Sequence, residues 1–149
     1  MEIKRISPKQ AKALLESDAE MVYFDVRTVT EFEAGHVPGA KNIPVLDRDS
    51  FGQMQPTPHF AEIIAANFGK NVKCITGCQK GGRSMMAAKI LLAAGFTNVL
   101  DMRGGWGGEA DITGHITYPG WVACGLPVTI DSELEDRFET LVQTDEATE

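Results

Sequence analysis

Apolar residues along this chain follow two rhythms, and each predicts a different kind of element. Where they recur every three or four positions they predict helices, and where they run nearly unbroken for five or six they predict strands covered on both faces. Ser7-Pro8-Lys9-Gln10 reads as a helix start, with Ser7 as cap and Gln10 closing a capping box; Ala11, Leu14 and Leu15 then face inward to about Glu16. Met21 to Val26 is a continuous apolar run broken only by Asp25, the pattern of a buried strand. Thr28-Val29-Thr30-Glu31 is a second capping box, opening a short helix that Gly35 ends. His36 to Ala40 reads as a turn, Lys41 to Pro44 as a short extended piece, and Leu46 to Pro56 as an irregular loop.

The alternation continues downstream. Thr57-Pro58 begins a helix through Phe60, Ile63, Ile64 and Phe68, stopped by Gly69, and a strand follows over Val72–Thr76. A second helix runs from Ser84 to Ala94 with Gly95 as its stop, and Thr97 to Asp101 is a further strand. Strands alternating with helices predict an α/β domain with a mainly parallel central sheet flanked by helices on both faces. After Asp101 the pattern weakens: residues 104–120 are rich in glycine and read as a loop excursion, and Trp121 to Cys124 as a helical turn ended by Gly125-Leu126-Pro127. Asp131 to Leu141 is acidic, with Leu134, Phe138 and Leu141 at helical spacing; a terminal helix is expected there, fraying from Gln143 to Glu149.

Composition narrows the function. The 149 residues fit one domain with a proper core, 1–149. A net charge of −7 argues against nucleic-acid binding, because no basic stripe is available to neutralise phosphates. No apolar run reaches the length of a membrane span, and Met1 to Arg5 leads into no signal-peptide core, so the expected location is cytoplasmic with no membrane partner. Three scattered cysteines make no disulfide framework. Cys74 and Cys78 with scattered histidines make no convincing zinc site, so neither metal nor cofactor is expected.

The question is then which cysteine is chemical. Cys78-Gln79-Lys80-Gly81-Gly82-Arg83-Ser84 places a thiol between a strand and a helix start, in a short loop with two cationic side chains. Backbone N–H groups and the positive end of the helix converge on such a loop, which favours a thiolate nucleophile that handles an anion. Parallel sheets build their sites beyond the carboxyl ends of strands, where Cys78 and also Asp25 and Arg27 fall. Cys74 lies within the strand and reads as a small core residue. Cys124 is either packed under the last helix or a resolving thiol near Cys78.

Several ordered segments carry a family likeness. Asp25-Val26-Arg27, Glu31-Phe32, Gly35-His36-Val37-Pro38-Gly39-Ala40-Lys41-Asn42-Ile43-Pro44, the Cys78–Ser84 loop, Gly104-Gly105-Trp106 and Gly125-Leu126-Pro127-Val128 together resemble single-domain rhodanese-like sulfurtransferases from about Ile6 to Val128. The resemblance implies the rhodanese-like fold. It also implies a transferase that moves a sulfane sulfur from thiosulfate or another persulfide or polysulfide donor to cyanide, a thiol or an acceptor protein. Cys78 would bear the persulfide. Gln79, Lys80, Gly81, Gly82, Arg83 and Ser84 would bind the anionic sulfur, with Gly81 and Gly82 giving the loop its backbone freedom. Asp25, Arg27 and Glu31 would form an ion-pair network bracing the loop, with His36 hydrogen bonded to nearby backbone.

The chain departs from the family pattern by an insertion at about 107–119, containing His115 and Tyr118, which would cover the site, line it or build a homodimer contact. Two rival readings stay open. One is a Cys-dependent oxyanion enzyme, a phosphatase or an arsenate reductase, although only four residues separate Cys78 from Arg83 where such phosphatases have five. The other is a sulfur-carrier module serving a partner protein.

Overall fold

The structure, a computed structural model, describes residues 3–147, with side chains described to residue 143. Its elements in chain order are β1 (Lys4–Ile6), α1 (Pro8–Ser17), β2 (Val22–Asp25), α2 (Val29–Ala34), β3 (Lys41–Asn42), β4 (Leu46–Arg48), β5 (Met54–Pro56), α3 (Phe60–Phe68), β6 (Cys74–Gly77), α4 (Gly82–Ala93), β7 (Val99–Met102), β8 (Glu109–Ala110), β9 (Ile116–Tyr118) and α5 (Phe138–Ala147). Five strands form a parallel sheet in the order β1-β7-β6-β2-β3.

Strand alternation sorts the core into two layers. Phe24 and Cys74 face a cluster with Ile63 and Ile64 of α3, Ala87, Ala88 and Leu91 of α4, and Leu141 of α5. Tyr23, Ile75 and Met102 point the other way, into a cluster with Ala11 of α1, Phe32 of α2 and Trp121. Helices therefore cover both faces, as the unbroken apolar strands predict. Both capping boxes are present: Ser7 with Gln10 opens α1, and Thr28 with Glu31 opens α2.

Four sequence expectations need correction. The stretch expected as an irregular loop, 46–56, is an antiparallel hairpin of β4 and β5. Asp49 closes its turn by accepting from the Phe51 and Gln53 amides, a local geometry that apolar periodicity does not report. The glycine-rich excursion holds a second small hairpin, β8 with β9, whose turn is closed in the same way by Asp111. β1 was not anticipated, because only Ile6 of its three residues is buried and two cations precede it. At the other end, residues 134–136 form a single 3-10 turn and α5 begins only at Phe138, so Leu134 stays 63% exposed while Phe138 and Leu141 pack. The backbone of α5 runs to Ala147, past the Gln143 at which fraying is expected; residues 148 and 149 lie outside the described residues.

Candidate active site

β6 ends at Gly77, and the chain then turns through Cys78 to Gly81 before α4 begins at Gly82. Cys78 is 2% exposed, and the Gly81 N–H donates to its Sγ at 3.0 Å. That geometry requires glycine at 81, where φ is +114°. Gly82 is different, since its backbone is ordinary and nothing stands within 4 Å of where a Cβ would be. Of the two glycines expected to relax the loop, only Gly81 does so. Ser84, fully buried in the first turn of α4, donates from Oγ to the Gly81 carbonyl at 3.1 Å and so anchors, from its carbonyl side, the residue whose N–H faces the sulfur.

A second loop supports the first from beside it. The Trp106 N–H donates to the Cys78 carbonyl at 2.7 Å and the Gly107 N–H to the Gln79 carbonyl at 2.9 Å. Gly105 permits this approach: a Cβ there would stand 2.5 Å from the Cys78 carbonyl oxygen. The insertion continues from this contact into the β8–β9 hairpin. Among the described residues, none from 109 to 118 lines the cleft at Cys78, which measures about 420 Å³ and is bounded by Glu31, Cys78, Gln79, Lys80, Gly82 and Arg83. A larger cleft of about 560 Å³, between α2 and the start of α5, contains no thiol.

The expected charge network divides into two separate pairs. Arg27, 2% exposed, holds both carboxylate oxygens of Asp25, with Nη2 at 2.7 Å from Oδ2, and also donates to the Gly35 carbonyl and to Gln79 Oε1 at 3.3 Å. Its guanidinium carbon lies 5.1 Å from the Trp106 ring centre, so one arginine joins β2, the Cys78 loop and the 104–108 loop. Burial is the largest effect and works against the charge on Arg27, but the hydrogen bonds to Asp25 and the charge attraction of Asp25, Tyr23 and Glu31 together outweigh it and raise the pKa. Glu31 pairs instead with Arg83, in a bidentate contact of 2.7 and 2.9 Å. That contact is the main cause of a Glu31 pKa lowered to about 2. The separation follows from direction: Glu31 faces α4 because its carboxylate also caps α2 through the Thr28 N–H.

The remaining predicted residues divide between the cleft and the frame. Gln79 and Lys80 lie at the cleft with Cys78, and the Arg83 guanidinium sits at its rim against Glu31. His36 is 1% exposed and stacks on Phe32 at 3.7 Å; its ring nitrogens lie 2.6 Å from the Phe32 carbonyl oxygen and 2.9 Å from that of Asp131. Cys74 lies in the core, where burial pushes its thiol up to about 12. Cys124 is partly exposed in the turn after Trp121. Trp121 is buried and donates from Nε1 to the Pro127 carbonyl.

Sequence reasoning passed over a buried polar cluster behind the loop. Asp101, with no exposed surface, accepts from Thr76 Oγ1 at 3.1 Å and from Arg5 Nε at 3.0 Å. An aspartate in the apolar run Val99–Met102 was the available signal. No three of His, Cys, Asp or Glu group as a metal would require, and no helix is long and apolar enough to cross a membrane, both among the described residues.

A parallel α/β sheet with a cysteine loop beyond its carboxyl edge and a helix behind it defines a class of α/β domains that carry a thiol at the sheet edge. Within that class the chain belongs to the rhodanese-like family: the family description "Rhodanese-like domain" matches residues 7–108. It is 43% identical over 105 residues to thiosulfate sulfurtransferase 16, chloroplastic, of Arabidopsis thaliana, covering 70% of this chain and 77% of that protein. It is 32% identical over 134 residues to thiosulfate sulfurtransferase 18 of the same plant, covering 89% and 88%. Two further plant relatives are matched over only 45% and 46% of their own length. Among solved structures, Rv0390 from M. tuberculosis superposes with a TM-score of 0.71 at 25% identity, covering 88% of this chain and all of that one.

Proposed function

We propose that this protein is a sulfurtransferase working through a persulfide on Cys78. The Cys78 thiolate attacks the outer sulfur of thiosulfate, the sulfur–sulfur bond of the donor breaks, and sulfite leaves with the electron pair. Cyanide, a small thiol or a thiol on an acceptor protein then attacks the outer sulfur of the persulfide, releasing the Cys78 thiolate. Atoms and electrons balance with no metal, no organic cofactor and no proton acceptor. Polysulfide enters the same cycle with a shorter polysulfide as leaving group.

One observation carries this reading: the buried Cys78 Sγ faces the Gly81 N–H at 3.0 Å, ahead of the twelve-residue helix α4. Fixed amide dipoles there favour an anionic sulfur at the thiolate and persulfide stages alike. Lys80, exposed at the cleft, adds positive potential for an anionic donor, while the Arg83 charge at the rim is paired with Glu31. The oxyanion reading is less well supported. A phosphatase of the Cys-loop-Arg type needs its arginine on the oxyanion, and here both Arg83 Nη atoms are bonded to Glu31. The names of the two Arabidopsis relatives point to thiosulfate as donor.

Steady-state kinetics with thiosulfate and cyanide varied together test the proposal. A double-displacement enzyme gives parallel double-reciprocal lines, and Cys78→Ser gives no turnover. Intersecting lines, or turnover surviving in the variant, would exclude a Cys78 persulfide.

A further inference from the structure

We propose that Arg5, in the first strand and 73 positions before the thiol, is a positioning residue for the Cys78 loop, acting as a fork that locks Gly81 between the sheet and the insertion hairpin. The inference builds on the persulfide reading but has a readout of its own.

The parallel register of β1 and β7 sets Arg5 opposite Asp101. Nε of Arg5 donates to Asp101 Oδ2 at 3.0 Å, while Nη2 lies 3.5 Å from Oε1 of Glu109, the first residue of the inserted hairpin. The same Nη2 would be 3.3 Å from a Cβ on Gly81, so the guanidinium end occupies the side-chain direction of the loop residue whose N–H meets the sulfur. Asp101 approaches the loop by a second route. It accepts from Thr76 Oγ1, which lies 3.2 Å from the Ser84 carbonyl, and Ser84 Oγ in turn holds the Gly81 carbonyl. Gly81 is thus held at its carbonyl through Ser84 and faced on its side-chain side by the Arg5 guanidinium. Because Gly81 carries no side chain and sits at φ +114°, nothing of its own restrains that peptide.

Asp101 has no exposed surface, and burial raises its pKa against the opposing effect of its donors, Arg5 and Thr76 among them. Arg5 therefore also keeps a buried carboxylate from standing alone. A lysine supplies the charge but not the two-pronged contact with Asp101 and Glu109. If Arg5 served only as a cation attracting anionic donors, lysine would replace it.

The test is the second-order rate of Cys78 alkylation, read by intact-protein mass in a Cys124→Ser background, with neutral iodoacetamide and anionic iodoacetate. Positioning predicts that Arg5→Met slows both reagents by the same factor, roughly fivefold for one misplaced charge-assisted hydrogen bond. Arg5→Lys should be slowed almost as much. The double variant Arg5→Met/Asp101→Asn removes the bare carboxylate, guards against simple unfolding, and should stay slow.

Three results would overturn the proposal: unchanged rates in Arg5→Met, slowing confined to iodoacetate, or full recovery in the double variant. In the thiosulfate assay the turnover number should fall by the same factor with KM unchanged. If wild-type protein transfers no sulfur, the persulfide reading fails while the alkylation rates still decide the role of Arg5.

Discussion

Two glycine-rich loops meet at the carboxyl edge of the sheet, and they draw on glycine to different degrees. In the Cys78 loop the need is conformational: Gly81 takes a φ of +114° so that its own N–H reaches the thiol. In the 104–108 loop closeness is added to conformation, because Gly105 takes a φ of +61° and also lets the backbone approach to within bonding distance of the Cys78 and Gln79 carbonyls. One loop presents the thiol that we propose as the nucleophile; the other contributes backbone N–H groups and a shape. A nucleophile held by amide dipoles needs both, since a dipole helps only where it is fixed before the charge develops.

This contrast can be broken most severely at Gly105. Gly105→Ala puts a methyl 2.5 Å from the Cys78 carbonyl oxygen and 2.8 Å from the Gln79 carbonyl carbon, both backbone atoms that cannot move alone. Loss of about 3 kcal/mol in chemical denaturation is expected, with sulfur transfer down at least about tenfold. A Gly105→Ala protein with normal activity would mean that the second loop does not brace the first.

The two adjacent glycines of the Cys78 loop sharpen the comparison. Gly81→Ala strains a left-handed residue and crowds Arg5, and should cost about 1–3 kcal/mol and most of the turnover. Gly82→Ala fills open space at the start of α4, where alanine is the better helix former, and should be neutral or stabilising by about 0.5 kcal/mol. Equal effects at the two positions would contradict the conformational account.

The smallest expected effect concerns Glu31, the rim partner of Arg83. Its pKa is lowered from an ordinary 4.5 to about 2, so the pair's contribution to stability is complete above about pH 4.5 and is lost as pH falls towards 2. Thermal midpoints of wild type and Glu31→Gln should differ by a constant amount from about pH 5 to 8 and converge below about pH 4. A gap that widened in acid would contradict the pairing.

Much of this arrangement was legible in the chain itself. Helices capped by local boxes and strands long enough to be buried on both sides announced themselves, because their signals lie within a few residues. The thiol loop was legible for the same reason. What escaped depended on partners far apart in sequence. The Asp25–Arg27 and Glu31–Arg83 pairs divide as they do because α2 faces α4, which no local pattern states. Nothing local marks Arg5; the register of β1 and β7 places it on Asp101, 96 positions away. The small hairpins were missed because aspartate side chains close their turns and few of their residues reach the core.

The most direct measurement is the intact mass of the protein after thiosulfate, before and after cyanide, beside Cys78→Ser. A persulfide enzyme gains one sulfur atom, loses it to cyanide, and shows no gain in the variant. The same mass before and after thiosulfate and polysulfide, or a gain that persists without Cys78, would contradict the account.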